Sequence, residues 1–335
     1  MSSNLIKSFG LIAIGAISGV TFTHFYYKGY QGSDVPDLTP RYTKFDSAGR
    51  ALESIYDFNA TKFFQYGIPG PVADQRVNHG YMSVFDRRTR NPFYTAETIT
   101  QESLNQRKGN RRYSEFVPDD NIPEMFQAKL GDYRGSGYDR GHQVPAADCK
   151  FSQEAMNETF YLSNMCPQVG DGFNRNYWAY FEDWCRRLTS KYGSVTIMTG
   201  PLYLPKKNER GQWEVQYRVI GNPPNVAVPT HFFKVIIAEK SGEPTSSPSV
   251  AAFVLPNKPI ADNFPLKNFA VPVEVVERAS GLEILSNVPK GNRKQLCSEV
   301  VCQLNVKEFV ESVKQKQKNQ VFLVFPVIVL YYENI

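Results

Sequence analysis

Tyr138–Arg186 reads YDRGHQVPAADCKFSQEAMNETFYLSNMCPQVGDGFNRNYWAYFEDWCR. The fold turns on how this stretch divides. Tyr138–His142 reads as extended backbone, and so does Tyr161–Asn164 after a polar loop. Pro167–Asn174 runs through two glycines and reads as an irregular loop. From Arg175 to Leu188 the period becomes helical: Tyr177, Phe181, Trp184 and Leu188 form one apolar stripe, while Glu182 and Arg186 stand i,i+4 on another side and are expected to pair. Two short strands followed by an amphipathic helix is the local order.

Side chains two apart on a strand point the same way, so Arg140 and His142 share a face and Asp139 points away from it. An imidazole accepts a proton near neutral pH without an unusual environment, which makes His142 the natural general base for activating water. A guanidinium beside it can neutralise charge that builds on phosphoryl oxygens. Gly141 would let the backbone approach a ligand, and Asp139 is expected to orient the backbone or an arginine. Asn164 either caps a turn or orients the metal or the imidazole. Asn174 at the helix start reads as an N-cap or as a ligand. It lies about 12 Å along a helix from Glu182, so both can serve one ion only if Asn174 is off the helix or Glu182 acts through water. Oxygen donors without a thiolate cluster suit a hard, hydrated divalent cation such as Mg²⁺.

Working outward, the polar linker 31–57 precedes a domain beginning near Phe58. Strand-like runs are expected at His79–Phe85, Phe93–Thr98, Ser194–Gly200, Gln216–Ile220, Thr230–Ala238 and Val250–Leu255, most bounded by Gly or Pro. Helices are expected after Glu102, at Val273–Ser280 and at Val306–Lys318. This order favours a mixed α+β domain with a largely antiparallel central sheet flanked by helices. Residues 1–30 form a hydrophobic targeting or anchor segment: Ser8–Phe25 is just long enough to cross a hydrocarbon core of about 30 Å. The C-terminal stretch 321–335 is apolar but too short to span a bilayer.

The chain has 335 residues and a net charge of +5, which permits an anionic partner without demanding one. The basic residues cluster at Arg87–Arg90, Arg107–Arg112 and Lys290–Lys294. Four histidines and five scattered cysteines offer no zinc spacing and no disulfide framework. Cys297 and Cys302, close in sequence, could pair in an oxidising compartment, and the sequence leaves that open.

The linked patterns Asp139-Arg140-Gly141-His142-Gln143, Leu162-Ser163-Asn164-x-x-Pro167-Gln168 and Asn174-x-x-x-Trp178-x-x-x-Glu182-x-x-x-Arg186 resemble the signatures of the DNA/RNA non-specific endonucleases. The resemblance covers most of the chain and is strongest to their mitochondrial, endonuclease G-like branch, including its fungal forms. It implies a ββα-metal site within a domain over 58–320. In that site His142 is the general base, Asn174 the direct ligand of Mg²⁺ or Mn²⁺, and Glu182 a holder of metal-bound water. It gives Arg140, Arg186 and Arg111 phosphate-binding roles and Asn164 a supporting one. It also implies cleavage of both DNA and RNA, a homodimer, attachment to the mitochondrial inner membrane through the N-terminal segment, and relocation to the nucleus in cell death. The apolar tail has no counterpart in that resemblance. Rival readings are a binding protein with a dead site, a tethered phosphodiesterase for small esters, and a structural membrane protein. The last leaves the Arg140, His142, Asn174 and Glu182 set without a purpose.

Overall fold

The computed structural model describes residues 70–240 and 247–315. The N-terminal segment, the linker, the domain start near Phe58 and the tail 321–335 lie outside these residues. In chain order the strands used below are β1 (Asp74–Val77), β2 (Tyr81–Asp86), β3 (Asn91–Ile99), β4 (Tyr138–His142), β5 (Met165–Val169), β6 (Ser194–Leu202), β7 (His231–Glu239), β8 (Ser249–Pro256), β9 (Ala270–Val271) and β10 (Lys294–Gln295), and four two-residue strands between β6 and β7 form two small ribbons. The helices used below are α1 (Gln101–Asn105), α2 (Gln153–Glu158), α3 (Ala179–Arg187) and α4 (Val273–Ser280). Residues 306–315 are also helical. Among the described residues no helix is long and apolar enough to cross a membrane.

An eight-stranded sheet runs β1-β2-β3-β6-β7-β8-β9, with β10 alongside β8. Every pairing in it is antiparallel except β8 with β10. The α+β architecture with a mostly antiparallel sheet is therefore as expected. Strand β7 explains why both faces must be covered, because its interior is buried without alternation. Phe232 and Ile236 face a core shared with Trp178, Phe181, Trp184 and Leu188, whereas Phe233 and Val235 face one shared with Val273 and Val276 of α4. The helical stripe inferred from the sequence is the stripe that packs, each large side chain contributing on the order of 2 kcal/mol by burial.

Three local expectations change. Residues 161–164 do not form a strand: Leu162–Asn164 make a single tight turn, and extended backbone begins only at Met165. Ser163 Oγ donates to Asp119 Oδ2 at 2.6 Å, and the Asn164 side chain bonds backbone groups, so both polar side chains favour a turn over a ladder. Within Gln216–Ile220 only Val219–Ile220 pairs, with Val226–Ala227. The helix does not begin cleanly at Arg175; helical turns over Gly170–Trp178 are interrupted at Asp171 and at Gly172, whose φ is 76°, and continue into α3. Cys297 and Cys302 are joined in a disulfide, while Cys149, Cys166 and Cys185 are free and buried.

Candidate active site

The antiparallel hairpin β4/β5 pairs Gly141 with Cys166 and His142 with Met165. Its tight packing depends on Gly141: a Cβ there would fall 2.1 Å from Gln168 Oε1. The glycine thus makes room for a buried glutamine of the partner strand and not for a ligand. Asn164 extends the hairpin past its last pair. Its carbonyl accepts the Gln143 N–H at 2.9 Å. Its side chain accepts the Val144 N–H at 3.0 Å and donates to the carbonyls of Val144, at 3.0 Å, and Thr159, at 2.8 Å. Fully buried, Asn164 fixes the chain immediately after His142 and has no capacity left for a ligand.

His142 lies between two aromatic rings, its centroid 5.5 Å from Phe116 and 4.9 Å from Phe160. Arg140 stacks on Phe116 at 4.3 Å and Arg111 on Phe160 at 5.3 Å. The expected shared face of Arg140 and His142 is present, and Arg111, distant in sequence, joins it through the second ring. The Nε2 of His142 is buried without a hydrogen-bond partner, while the residue as a whole is only half-buried. That leaves Nδ1 as the nitrogen with access to water. Burial, reinforced by the Arg111 and Arg140 cations, lowers the imidazole to about 3, so the free ring stands neutral.

A groove of about 540 Å³ opens beside this face, lined among others by Arg111, Phe116, Asp139, Arg140, Asn174 and Arg175. Asp139 binds both helix-start residues: it accepts from Asn174 Nδ2 at 2.9 Å and from Arg175 Nε and Nη2 at 2.8 and 2.6 Å. Burial opposes its charge, but the Arg175 and Asn174 hydrogen bonds hold its carboxyl below the usual range. The expectation that Asp139 orients an arginine is met, and it orients Asn174 as well. With Nδ2 committed to a carboxylate, Asn174 keeps its amide oxygen for a hard cation.

Glu182 lies outside that groove lining. Burial pushes its carboxyl up to about 7 against the pull of Lys234, Arg186 and Arg111. The expected Glu182–Arg186 pair does not form. Arg186 Nη1 instead donates to the buried Asp148 at 2.9 Å, with Asp183 3.8 Å away, because Asp148 offers a nearly solvent-free carboxylate on the loop after β4. Sequence reading missed Asp148, Phe116 and Phe160. Only the short distance from His142 to Asp148 in the chain could have drawn attention to the first.

The residues fit a hydrated divalent ion. Among the described residues no three His, Cys, Asp or Glu side chains converge on a metal position, so an all-protein cage is not what this site offers. The Asn174 amide oxygen, held by Asp139, and the open groove around it suit a hard divalent ion that keeps most of its waters.

The family model described as DNA/RNA non-specific endonuclease matches residues 59–291. The mitochondrial nuclease of Saccharomyces cerevisiae is 48% identical over 327 residues, spanning 95% of this chain and 97% of its own length. Human mitochondrial endonuclease G is 43% identical over 224 residues, 67% of this chain and 73% of its own. In a crystal structure of the EndoG/EndoGI complex, a chain of 40% identity superposes with a TM-score of 0.64, covering 70% of this chain and 97% of that one.

Proposed function

This chain belongs to the DNA/RNA non-specific endonuclease family, and from that premise we infer how its own residues hydrolyse phosphodiester bonds in both DNA and RNA. The observation that carries the reading is the His142 ring set against Phe116 and Phe160, its Nε2 buried, while Arg140 and Arg111 stack on the same two rings. His142 Nδ1 takes the proton from an attacking water, and Arg140 and Arg111 neutralise the charge that grows on the non-bridging oxygens. Arg186, held by Asp148, adds a cation near Glu182. When bound by Asn174 directly and by Glu182 through water, Mg²⁺ or Mn²⁺ supplies charge stabilisation at the phosphate and the leaving oxygen. Asp139 holds Asn174 in place, and Asn164 holds the turn behind His142. Contacts to phosphates and not to base edges explain low sequence preference.

The relatives' mitochondrial names support residence in mitochondria. The hydrophobic run Ser8–Phe25 supports attachment to the inner membrane. A homodimer and relocation to the nucleus in cell death rest on family membership alone.

The test compares wild type with His142→Ala on supercoiled plasmid and single-stranded RNA, in Mg²⁺ and in EDTA. The expected result is metal-dependent degradation of both substrates, slowed about 10²–10⁴-fold in the variant, with nucleic-acid binding in EDTA unchanged. Wild-type rates from His142→Ala would remove the imidazole from the chemistry.

A further inference from the structure

A second concavity of about 480 Å³ abuts the catalytic groove. Its lining includes Arg134, Tyr138 and Arg218, and Arg134 and Tyr138 line the catalytic groove too. The two therefore form one channel leading away from the Arg140 face, with Arg134 at the junction and Arg218 at the far side.

The channel's charge is one-sided. Five arginines line it, at 111, 134, 140, 175 and 218, against two aspartates. Both aspartates are already engaged: Asp139 holds Asn174 and Arg175, and the buried Asp132 accepts from the Lys129 N–H at 2.7 Å and from Asn225 Nδ2 at 2.8 Å. Within the channel Arg175 meets Asp139, and elsewhere arginines 76, 87, 186 and 187 each meet a carboxylate. Arg134 and Arg218 are exposed and meet none among the described residues. Gly131 and Gly135, which line the second concavity, have open space where a Cβ would stand. An open channel that starts at the scissile-phosphate position and displays unpaired guanidiniums has the chemistry to follow a chain of phosphates.

We propose that this channel is a strand-holding extension of the active site, in which Arg134 and Arg218 grip phosphates flanking the one that is cut. The proposal rests on the nuclease reading above and adds to it. The enzyme favours polynucleotides over dinucleotides, and fragments too short to reach Arg218 accumulate as products.

The experiment measures KM and kcat on a 20-nucleotide single-stranded DNA and on a dinucleotide, across a range of salt concentrations. The proteins are wild type, Arg134→Ala/Arg218→Ala and the charge-keeping Arg134→Lys/Arg218→Lys. The Ala pair should raise KM for the 20-mer roughly three- to tenfold. It should also make its salt dependence shallower by about 1.4 logarithmic units per decade, two single-strand contacts at about 0.7 each. The dinucleotide parameters change much less than those of the 20-mer, and the Lys pair restores most of the affinity. An unchanged 20-mer KM and salt slope overturns the proposal. So does an equal loss on both substrates, which would place the arginines in the chemistry or the fold. Wild type inert toward both substrates would instead overturn the nuclease reading.

Discussion

Asp139 is the residue whose expected role the structure enlarges. Alternation on β4 turns it away from the Arg140 and His142 face, which suggested a purely supporting part. In the structure the turned-away carboxylate meets the start of the next helix, where it holds Asn174 and Arg175 together. A carboxylate that orients a metal ligand usually contributes ten- to hundredfold to metal affinity. Asp139→Ala should therefore raise the Mg²⁺ concentration for half-maximal activity by about that factor, with a smaller change in rate at saturating metal. A metal titration superimposable on wild type would return Asp139 to a structural role. The neighbourhood of His142, Arg140 and Asn174 was legible because they sit in short linked patterns, whereas Glu182 lies outside the groove that Asn174 lines. Asp148 and the aromatic pair Phe116 and Phe160 were not, because their partners come from distant segments and no periodicity marks them.

At the scale of elements, the hairpin β4/β5 is held by a glycine facing a glutamine. The sequence indicated two strands and a helix in the right order but started the second strand too early, since Ser163 and Asn164 have side-chain partners that only the tertiary structure supplies. The contact of Gly141 with Gln168 has a direct consequence. Gly141→Ala drives a methyl into the Gln168 side chain, and overpacking of this kind destabilises by about 1–3 kcal/mol. Because His142 is the next residue, turnover should fall together with the midpoint of thermal unfolding. If Gln168 is the obstacle, Gly141→Ala/Gln168→Ala should unfold at a higher temperature than Gly141→Ala alone. Equal midpoints for those two proteins would show that the strain lies elsewhere.

Across the whole molecule, the sheet and α3 enclose a cluster of charges that no single element reveals. Lys234 is buried in the middle of β7, donating to Thr199 Oγ1 at 2.8 Å and lying 4.8 Å from the Trp178 ring. Glu97 on β3 is buried with neither carboxylate oxygen bonded, and burial pushes its carboxyl well above its ordinary value. Glu182, Asp148 and Arg186 complete the group from α3 and the loop after β4. The strand-like run Thr230–Ala238 gave no sign of a buried Lys234, because the groups that make it tolerable lie far from it in the chain. The energetic effect of the cluster on Glu182 has a definite sign. The folded carboxyl holds its proton up to about 7, whereas the unfolded one loses it near 4.5. Below the unfolded value both states are neutral and there is no penalty. Within this window the folded state keeps the proton that the unfolded state releases, so stability falls as pH rises, and the penalty is level above about 7, where both states are ionised. Glu182→Gln carries no such penalty. In EDTA, its stability relative to wild type should therefore climb between pH 4.5 and 7 and stay level at higher pH. Adding Mg²⁺ at pH 8 should narrow the gap, because a cation near Glu182 compensates the charge. Unfolding curves of the two proteins at pH 4.5, 6 and 8 decide the matter: a difference independent of pH would mean that Glu182 is ionised without penalty in the folded protein.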